Sequence, residues 1–338
     1  MAAKRRLPFL LAAALALPVG ARAAQPKDDV QLDGYAEWRQ GPVLIVDGQR
    51  VKASAQLKFK GRGEAKSFAA IPLGYEVKLK GIRLLDGTVL AREAEARPNG
   101  DALFEGELKS AFDKMEEQFR EEGSVFEEAD DGKRERYGRL IEAGPLFERA
   151  NKVVDHLIPP SAARGHFRVY AVRNKEWNAM AAPNGALFVF SGLMEAMDDD
   201  ELAIILGHEL AHATHEHSRR HFKKDLIVQL AAAGIGLVAA ESVDGKGKQV
   251  AIQAAALLGA TAWSNGYGRG YEDQADRVGL RYAFEGGYDV RKGPRLWQRF
   301  NEKYGELPKA LNFFFSDHSM HEARAANLER EIRNNYPN

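Results

Sequence analysis

The sequence predicts an α+β protein in which a small all-β, barrel-like domain precedes a larger domain built of helices and strands. Three observations predict this order. Short alternating runs separated by Asp-Gly turns occupy residues 30–96. From residue 145 onward, apolar residues recur at helical spacing, and two short apolar segments typical of strands lie among them. A length of 338 residues is enough for two globular domains.

The composition excludes several classes of protein. The chain carries 48 basic and 48 acidic residues and has no cysteine. The absence of cysteine from the sequence rules out disulfides, cysteine-ligated metals, iron–sulfur clusters and thiol catalysis, so a metal site must use other side chains. A balanced charge without a long basic block argues against a dedicated nucleic-acid-binding protein, and we expect no nucleic acid among the partners.

Residues 1–23 have the pattern of a secretory signal peptide. Basic residues at positions 4–6 precede an apolar run over residues 7–19, and an A-x-A pattern ends at Ala23. The apolar run is too short to cross a bilayer, which takes about 20 residues. We therefore expect an exported protein that is cut near Ala23, and a periplasmic location in a Gram-negative host.

The remaining chain divides into three parts. Within residues 30–96, the Asp-Gly pairs at 47–48 and 86–87 lie between alternating apolar runs, which predicts hairpins in a barrel-like unit of four to six strands. Residues 97–144 are rich in charge and in helix formers, which predicts a solvated helical linker without a functional site. Residues 145–338 then form the second domain.

Two apolar stretches, residues 226–240 and 250–263, lie inside the second domain. Both are short for membrane spans, and their composition favours a hairpin of buried helices. A second interpretation is an interfacial hairpin that binds a membrane surface without crossing it. Sedimentation with membranes in high salt distinguishes the two.

The strongest chemical signal is the H-E-x-x-H pattern at residues 208–212. Asp198 and Glu201 have the spacing of a capping box, which predicts that a helix begins just before this pattern. Residues four apart share one face of a helix, so His208 and His212 can bind a single metal ion together. Glu209 is adjacent and can reach a water molecule at the metal.

A catalytic zinc ion needs a third protein ligand and an open position for water. His215 follows on the same helix but lies about 10 Å along the axis from His208, too far for one ion. Ser218 occupies the position where a metzincin would have its third histidine, which excludes that class. Glu272, on a later segment with helical spacing, is the better candidate. Asp276 shares its face and can accept a hydrogen bond from a histidine ligand.

With these motifs the sequence resembles the gluzincin metallopeptidases of the HtpX and CAAX-prenyl-endopeptidase type, peptidase family M48. The resemblance rests on the H-E-x-x-H helix, the segment that leads into it and the pattern E-x-x-A-D from Glu272, and it covers about residues 145–328. It implies a zincin-like fold with one Zn²⁺ per chain, held by His208, His212 and Glu272, with Glu209 as general base. It also implies polypeptide substrates, and the export signal places it nearest the periplasmic quality-control branch, acting on periplasmic or outer-membrane proteins.

The resemblance also implies a late histidine followed six residues on by arginine, matched here by His318 and Arg324. Ser319 replaces the proline that commonly follows this histidine, and His321 is a competing candidate. His318, Arg324 and Tyr271 are the candidate donors to the oxyanion that forms during hydrolysis, and the sequence does not choose among them.

Two further expectations concern substrate and activity. We expect an extended substrate to add to the strand over residues 186–192, taken as a sheet edge. A chaperone-like binding protein that keeps the peptidase fold without cleaving is the alternative of a different class. The intact Glu209 argues against it, because a binding protein has no physical need for a base at that position.

Overall fold

The computed structural model describes residues 28–98, 102–128, 134–160, 162–221, 269–305 and 321–336. These form a barrel of residues 28–97 and a C-terminal unit of residues 102–336, each with its own buried apolar cluster. The predicted signal peptide and the two apolar stretches within 226–263 lie outside the described residues. Among the helices that are described, none combines the length and hydrophobicity needed to cross a bilayer.

The barrel closes five strands in the order β1-β2-β3-β5-β4, which confirms the predicted small β unit. Strands β3 and β5 pair in parallel, and the other neighbours are antiparallel. The strands are β1 (Asp28–Gln40), β2 (Val43–Val46), β3 (Gln49–Gly61), β4 (Glu76–Arg83) and β5 (Val89–Arg97). Leu44, Val51, Val77 and Val89 are buried in the apolar cluster of this barrel.

Both predicted hairpins are present. Asp47 and Gly48 join β2 to β3 with φ of 44° and 72°, and such a pair of positive φ angles is typical of a type I′ turn. In the second hairpin, between β4 and β5, only Gly87 has a positive φ, at 82°. The first turn places the Asp47 side chain at the end of the barrel that faces the C-terminal unit.

A five-stranded mixed sheet begins the C-terminal unit, in the order β6-β7-β8-β10-β9. Its strands are β6 (Ser124–Glu128), β7 (Arg134–Ile141), β8 (Arg168–Arg173), β9 (Ala179–Ala181) and β10 (Ala186–Phe190). The expectation that residues 186–192 form a sheet edge is wrong, because β10 pairs with β8 on one side and with β9 on the other. Strand β9 is the edge, and its three residues are too few to be recognised from periodicity.

The solvated linker expected at residues 97–144 needs correction. Helix α1 (Ala102–Glu122) buries Phe112 and Phe119 in the core of the C-terminal unit, and β6 and β7 belong to its sheet. Phe119 packs edge-on against Phe188 of β10, with ring centroids 5.9 Å apart. The apolar stripe of α1 consists of a few residues spaced three and four apart within a highly charged sequence, so composition alone concealed it.

Helices cover the sheet and carry the candidate site. They are α2 (Pro145–Leu157), α3 (Ser191–Ala196), α4 (Asp199–Thr214), α5 (Arg269–Glu285), α6 (Gly293–Tyr304) and α7 (His321–Asn335). Helix α2 confirms the predicted amphipathic helix, and its buried face includes Val153 and Leu157. Helix α4 is buried on all sides from Glu201 to His212, as expected for a helix in the middle of a core.

Helices α4 and α5 approach each other with backbone against backbone. A Cβ added to Gly207 would lie 2.6 Å from the carbonyl oxygen of Gly279, and one added to Gly279 would lie 2.5 Å from the backbone nitrogen of His208. Only glycine tolerates such a close approach. The close contact brings the side chains of one helix within reach of those of the other.

Candidate metal centre

A capping box fixes the start of helix α4. The Asp198 carboxylate accepts hydrogen bonds from the backbone N–H groups of Asp200 and Glu201, and Glu201 accepts one in return from the N–H of Asp198. This confirms the predicted capping arrangement. The cap fixes where α4 begins, and along α4 both His208 and His212 face Glu272 of α5.

The structure brings His208, His212 and Glu272 together in the interior. The Nε2 atoms of the two histidines are 2.9 Å apart. The Glu272 carboxylate lies 3.3 Å from Nε2 of His208 and 3.4 Å from Nε2 of His212. Each of the three residues is no more than 2% exposed. Ligands of one tetrahedral zinc ion, at bond lengths of about 2.0–2.1 Å, are about 3.3 Å from one another, so this triangle fits one face of such a site.

His208 is held by a buried ion pair. Its Nδ1 donates to Oδ1 of Asp276 over 2.9 Å, which directs Nε2 toward Glu272. Asp276 in turn accepts two hydrogen bonds from Arg324, at 2.6 and 2.8 Å. Burial alone would raise the pKa of Asp276, but Arg324 and His208 lower it to about 2, so the carboxylate is charged. The guanidinium of Arg324 also stacks on Trp297, 3.7 Å from the ring centroid.

His212 is held by neutral groups instead. Its Nδ1 lies 2.8 Å from Nδ1 of His217, and Nε2 of His217 lies 3.0 Å from the side-chain oxygen of Gln274. Burial, with Arg220 nearby, lowers the pKa of His217 well below its ordinary value, so its ring is neutral. Because an amide oxygen only accepts, His217 donates through Nε2 and accepts through Nδ1. His212 therefore donates through Nδ1 and keeps the lone pair of Nε2 for the site.

These two hydrogen-bond patterns test whether a metal fits. They direct Nε2 of His208 and Nε2 of His212 at each other across 2.9 Å, beside the Glu272 carboxylate. Three nitrogen and oxygen atoms this close together in a buried space require a proton or a metal cation among them. Two imidazole nitrogens and a carboxylate oxygen form a donor set that zinc prefers. The residues present therefore fit a zinc ion.

The pKa values of His208 and Glu209 also indicate that the site binds positive charge. Burial and Arg324 lower the pKa of His208, but hydrogen bonds with Asp276 and Glu272 outweigh them and raise it to about 9. Burial, with a contribution from Glu272, raises the pKa of Glu209 to about 8. Protons thus bind strongly where a metal ion would compete with them, because both neutralise the buried carboxylates.

Glu209 lies between the metal ligands and the sheet edge. Its Oε2 accepts a hydrogen bond of 3.0 Å from the backbone N–H of Ala181 in β9. Its Oε1 is buried and has no hydrogen-bond partner among the described residues. One carboxylate oxygen thus orients the side chain, while the other is available to a water molecule.

A cleft of about 870 Å³ opens beside His212. On one side it is lined by Pro72 and Tyr75 of the barrel, and on the other by Asn184 and Gly185 of the turn between β9 and β10. The barrel therefore forms one wall of a space that reaches a candidate metal ligand.

Other predicted residues have different surroundings. Tyr271 packs against His217, with ring centroids 5.0 Å apart, and under the guanidinium of Arg220. His215 is buried at the end of α4, and burial lowers its pKa to about 4. His318 lies outside the described residues, and His321 begins α7 with its side chain undescribed.

The sequence reasoning missed His217 and Gln274. His217 lies five residues after His212, which on a continuous helix would place it on a different face. Helix α4 ends at Thr214, and Glu216 has a φ of 52°, so the chain turns and brings His217 back toward His212. Gln274 occupies one of the two x positions of the E-x-x-A-D pattern. Nothing in the sequence marks it as part of the site except its place on the same helical turn as Glu272 and Asp276.

The sequence matches peptidase family M48 over residues 146–332. The mitochondrial metalloendopeptidase OMA1 of Bos taurus is 31% identical over 208 residues, covering 57% of this chain and 38% of that protein. The beta-barrel assembly-enhancing protease of Yersinia pestis is 26% identical over 146 residues, covering 42% of this chain and 30% of that protein. The metalloprotease LoiP of Escherichia coli is 35% identical over 77 residues, covering 23% and 28%. The chain thus spans less than half the length of these relatives.

Proposed function

Because the chain belongs to peptidase family M48, we propose that it is a zinc-dependent endopeptidase. His208, His212 and Glu272 would hold one zinc ion, and Glu209 would act as general base. The observation that carries this proposal is the convergence of two imidazole nitrogens and a carboxylate within one coordination sphere, next to a buried glutamate.

The chemistry divides between the ion and the protein. When bound, zinc supplies a Lewis acid and makes a coordinated water acidic, with a pKa of about 7. Glu209 accepts the proton of the attacking water at Oε1, while the Ala181 N–H holds Oε2 in place. A cation held by Glu272 offsets the negative charge that helps to raise the pKa of Glu209, so the base is ionised when it is needed.

For Arg324 we propose a positioning role in place of the predicted role as oxyanion donor. Two of its nitrogens bond Asp276, and its third, Nη1, lies 3.6 Å from Glu272. With its guanidinium stacked on Trp297 and only 2% exposed, Arg324 is a positioning residue that orients Asp276 and thereby His208. His318 remains a proposed donor to the oxyanion.

The position of strand β9 supports a proposal for how the substrate binds. Strand β9 is one of the two outer strands of the described sheet, and its Ala181 contacts Glu209. An extended polypeptide that adds to this edge would bring its backbone carbonyls next to the base with little dependence on sequence. We therefore infer that the substrates are unfolded or misassembled polypeptides. The export pattern of residues 1–23 supports a periplasmic location and envelope proteins as substrates. The name of the Yersinia pestis relative, which refers to beta-barrel assembly, supports such substrates.

Replacing the base tests this function. The Glu209→Gln variant is expected to keep one zinc per chain and to lose cleavage of unfolded casein, because glutamine is not a metal ligand here and accepts no proton. Glu195→Gln, an exposed glutamate on α3, is the matched control and should cleave like the wild type. Undiminished cleavage by Glu209→Gln rejects the assigned base. A wild-type protein that binds zinc but cleaves nothing favours the chaperone-like alternative.

A further inference from the structure

The barrel meets the C-terminal unit through buried polar side chains. Glu37, on β1, has a fully buried side chain and pairs with Arg277 of α5 at 2.7 Å. The same carboxylate accepts a hydrogen bond of 2.9 Å from the side-chain nitrogen of Gln274. Asp47, in the first hairpin turn, accepts a second hydrogen bond of 2.9 Å from that nitrogen. A buried charge costs free energy unless it is paired. The barrel and the C-terminal unit must therefore meet in the arrangement that keeps these pairs.

The two barrel carboxylates determine which way the amide of Gln274 points. An ionised carboxylate only accepts hydrogen bonds, so the amide nitrogen must face Glu37 and Asp47. The amide oxygen consequently faces the metal centre, where it accepts from Arg220 over 2.8 Å and from His217 over 3.0 Å. Tyr35 of the barrel supports Arg220 as well, because the guanidinium lies 3.3 Å above its ring centroid.

The orientation of the Gln274 amide determines which nitrogens of His217 and His212 carry protons. The amide oxygen requires Nε2 of His217 to carry a proton. A second proton on this fully buried ring would place another positive charge beside Arg220, which donates to the same oxygen, so Nδ1 of His217 accepts. The atom that faces it at 2.8 Å is Nδ1 of His212, which must therefore carry a proton. In the neutral ring of His212, Nε2 is then unprotonated, and it is directed toward His208 and Glu272.

We propose that the barrel is a structural part of the metal centre, and that Glu37 and Asp47 act through Gln274 and His217 to hold His212 in its metal-binding tautomer. Gln274 and His217 are positioning residues, since neither belongs to the triangle of candidate ligands. The identity of the ion rests on the proposed function. The tautomer of His212 does not, because it follows from hydrogen bonds that are present without the ion.

The first experiment measures the tautomer without metal. Long-range ¹H–¹⁵N correlation spectra of the full metal-free chain report which imidazole nitrogen carries the proton. We expect His212 of the wild type to be protonated at Nδ1. Gln274→Met, which keeps the size of the side chain but removes the amide, should give a mixture of tautomers. The double variant Glu37→Gln/Asp47→Asn should do the same, because amides can donate as well as accept.

The second experiment measures zinc affinity by competition with a chromophoric chelator. Loss of an outer partner of a metal ligand typically weakens binding about 10- to 100-fold, and we expect this for Gln274→Met and a smaller loss for the double variant. Glu116→Gln, which alters a buried carboxylate network outside the site, is the control for a general loss of stability. It should keep the wild-type tautomer and affinity.

The outcomes separate this inference from the proposed function. A wild-type chain that fails to bind zinc contradicts the proposed function, while the tautomer spectra still decide the role of the barrel. Variants that keep the wild-type tautomer and zinc affinity overturn the inference and leave the peptidase assignment intact. If Gln274→Met does not fold, the double variant, altered only in the barrel, decides the question alone.

Discussion

The two histidines of the candidate metal centre are supported in different ways. Behind His208 lies an ion pair of Asp276 with Arg324, contributed by α5 and α7 of the C-terminal unit. Behind His212 lies a chain of neutral groups, His217 and Gln274, that ends at the barrel. Both supports bind Nδ1 of their histidine and direct its Nε2 toward the site. The charged Asp276 beside His208 and the neutral groups between His212 and the barrel thus have the same effect. Each holds its histidine with Nε2 toward the site.

Breaking the charged support should have the largest effect. Asp276→Asn removes the carboxylate and leaves Arg324 buried without its partner, which typically costs about 3–5 kcal/mol of unfolding free energy. Zinc affinity should also fall about 10- to 100-fold, because His208 loses the group that orients it. Urea unfolding and chelator competition measure the two effects.

Asp273→Asn is the matched control for this prediction. Asp273 lies on the same helix but contacts Asn327 instead of the site. It should leave zinc affinity unchanged. Equal losses in the two aspartate variants would show that α5 responds to any change of charge, and the special role of Asp276 would have to be abandoned.

Removing the metal tests both supports together. A ligand that binds only the folded state stabilises it by about 2.7 kcal/mol when its concentration is 100 times its Kd. Chelation should therefore lower Tm by several degrees, and added zinc should restore it. The increment should be smaller in Asp276→Asn and in Gln274→Met. A Tm that does not respond to zinc at saturating concentration would be incompatible with a buried site of this kind.

Separating α4 from α5 should weaken both supports at once. Gly279→Ala places a methyl group against the backbone of His208, and overpacking of this sort typically costs about 1–3 kcal/mol. Gly270→Ala, on the same helix with open space around it, should be neutral or slightly stabilising. Thermal unfolding of the two variants gives the comparison. Destabilisation of equal size in both would mean that the close contact of the helices is not the cause.

A buried carboxylate away from the metal gives the smallest predicted effect. Burial would raise the pKa of Glu116, but hydrogen bonds from Arg168 and Tyr170 lower it below its ordinary value of 4.5. The stabilisation it provides, about 1 kcal/mol, is therefore present above about pH 4.5 and lost as pH falls through the lower pKa of the folded state. The difference in unfolding free energy between wild type and Glu116→Gln should shrink accordingly. A constant difference down to acidic pH would contradict it.

The candidate ligands and Asp276 were accessible from the sequence, whereas the pairing of Arg324 with Asp276 was not. His208 and His212 share a helix face because they are four apart, and Glu272 with Asp276 repeats that spacing on a second helix. The barrel was accessible as well, because its hairpin turns need residues that adopt positive φ. Residue spacing along a helix determines the first of these features, and the geometry of a short turn determines the second, so both can be read from neighbouring residues.

The neutral groups behind His212 were not accessible, because their roles depend on contacts between distant parts of the chain. The role of Gln274 requires Glu37 and Asp47, more than two hundred residues away in sequence, and that of His217 requires the turn at Glu216. Strand β9 was missed for a similar reason, since its pairing with β10 rather than its periodicity makes it a strand. No local pattern specifies such contacts.

The most direct test of the account is X-ray absorption at the zinc edge, on the full chain loaded with one equivalent of zinc. We expect a first shell of nitrogen and oxygen ligands at about 2.0–2.1 Å that includes two imidazoles, and a changed shell in Glu272→Gln. A shell with fewer than two imidazoles, or one that is identical in Glu272→Gln, would contradict the ligand set of His208, His212 and Glu272.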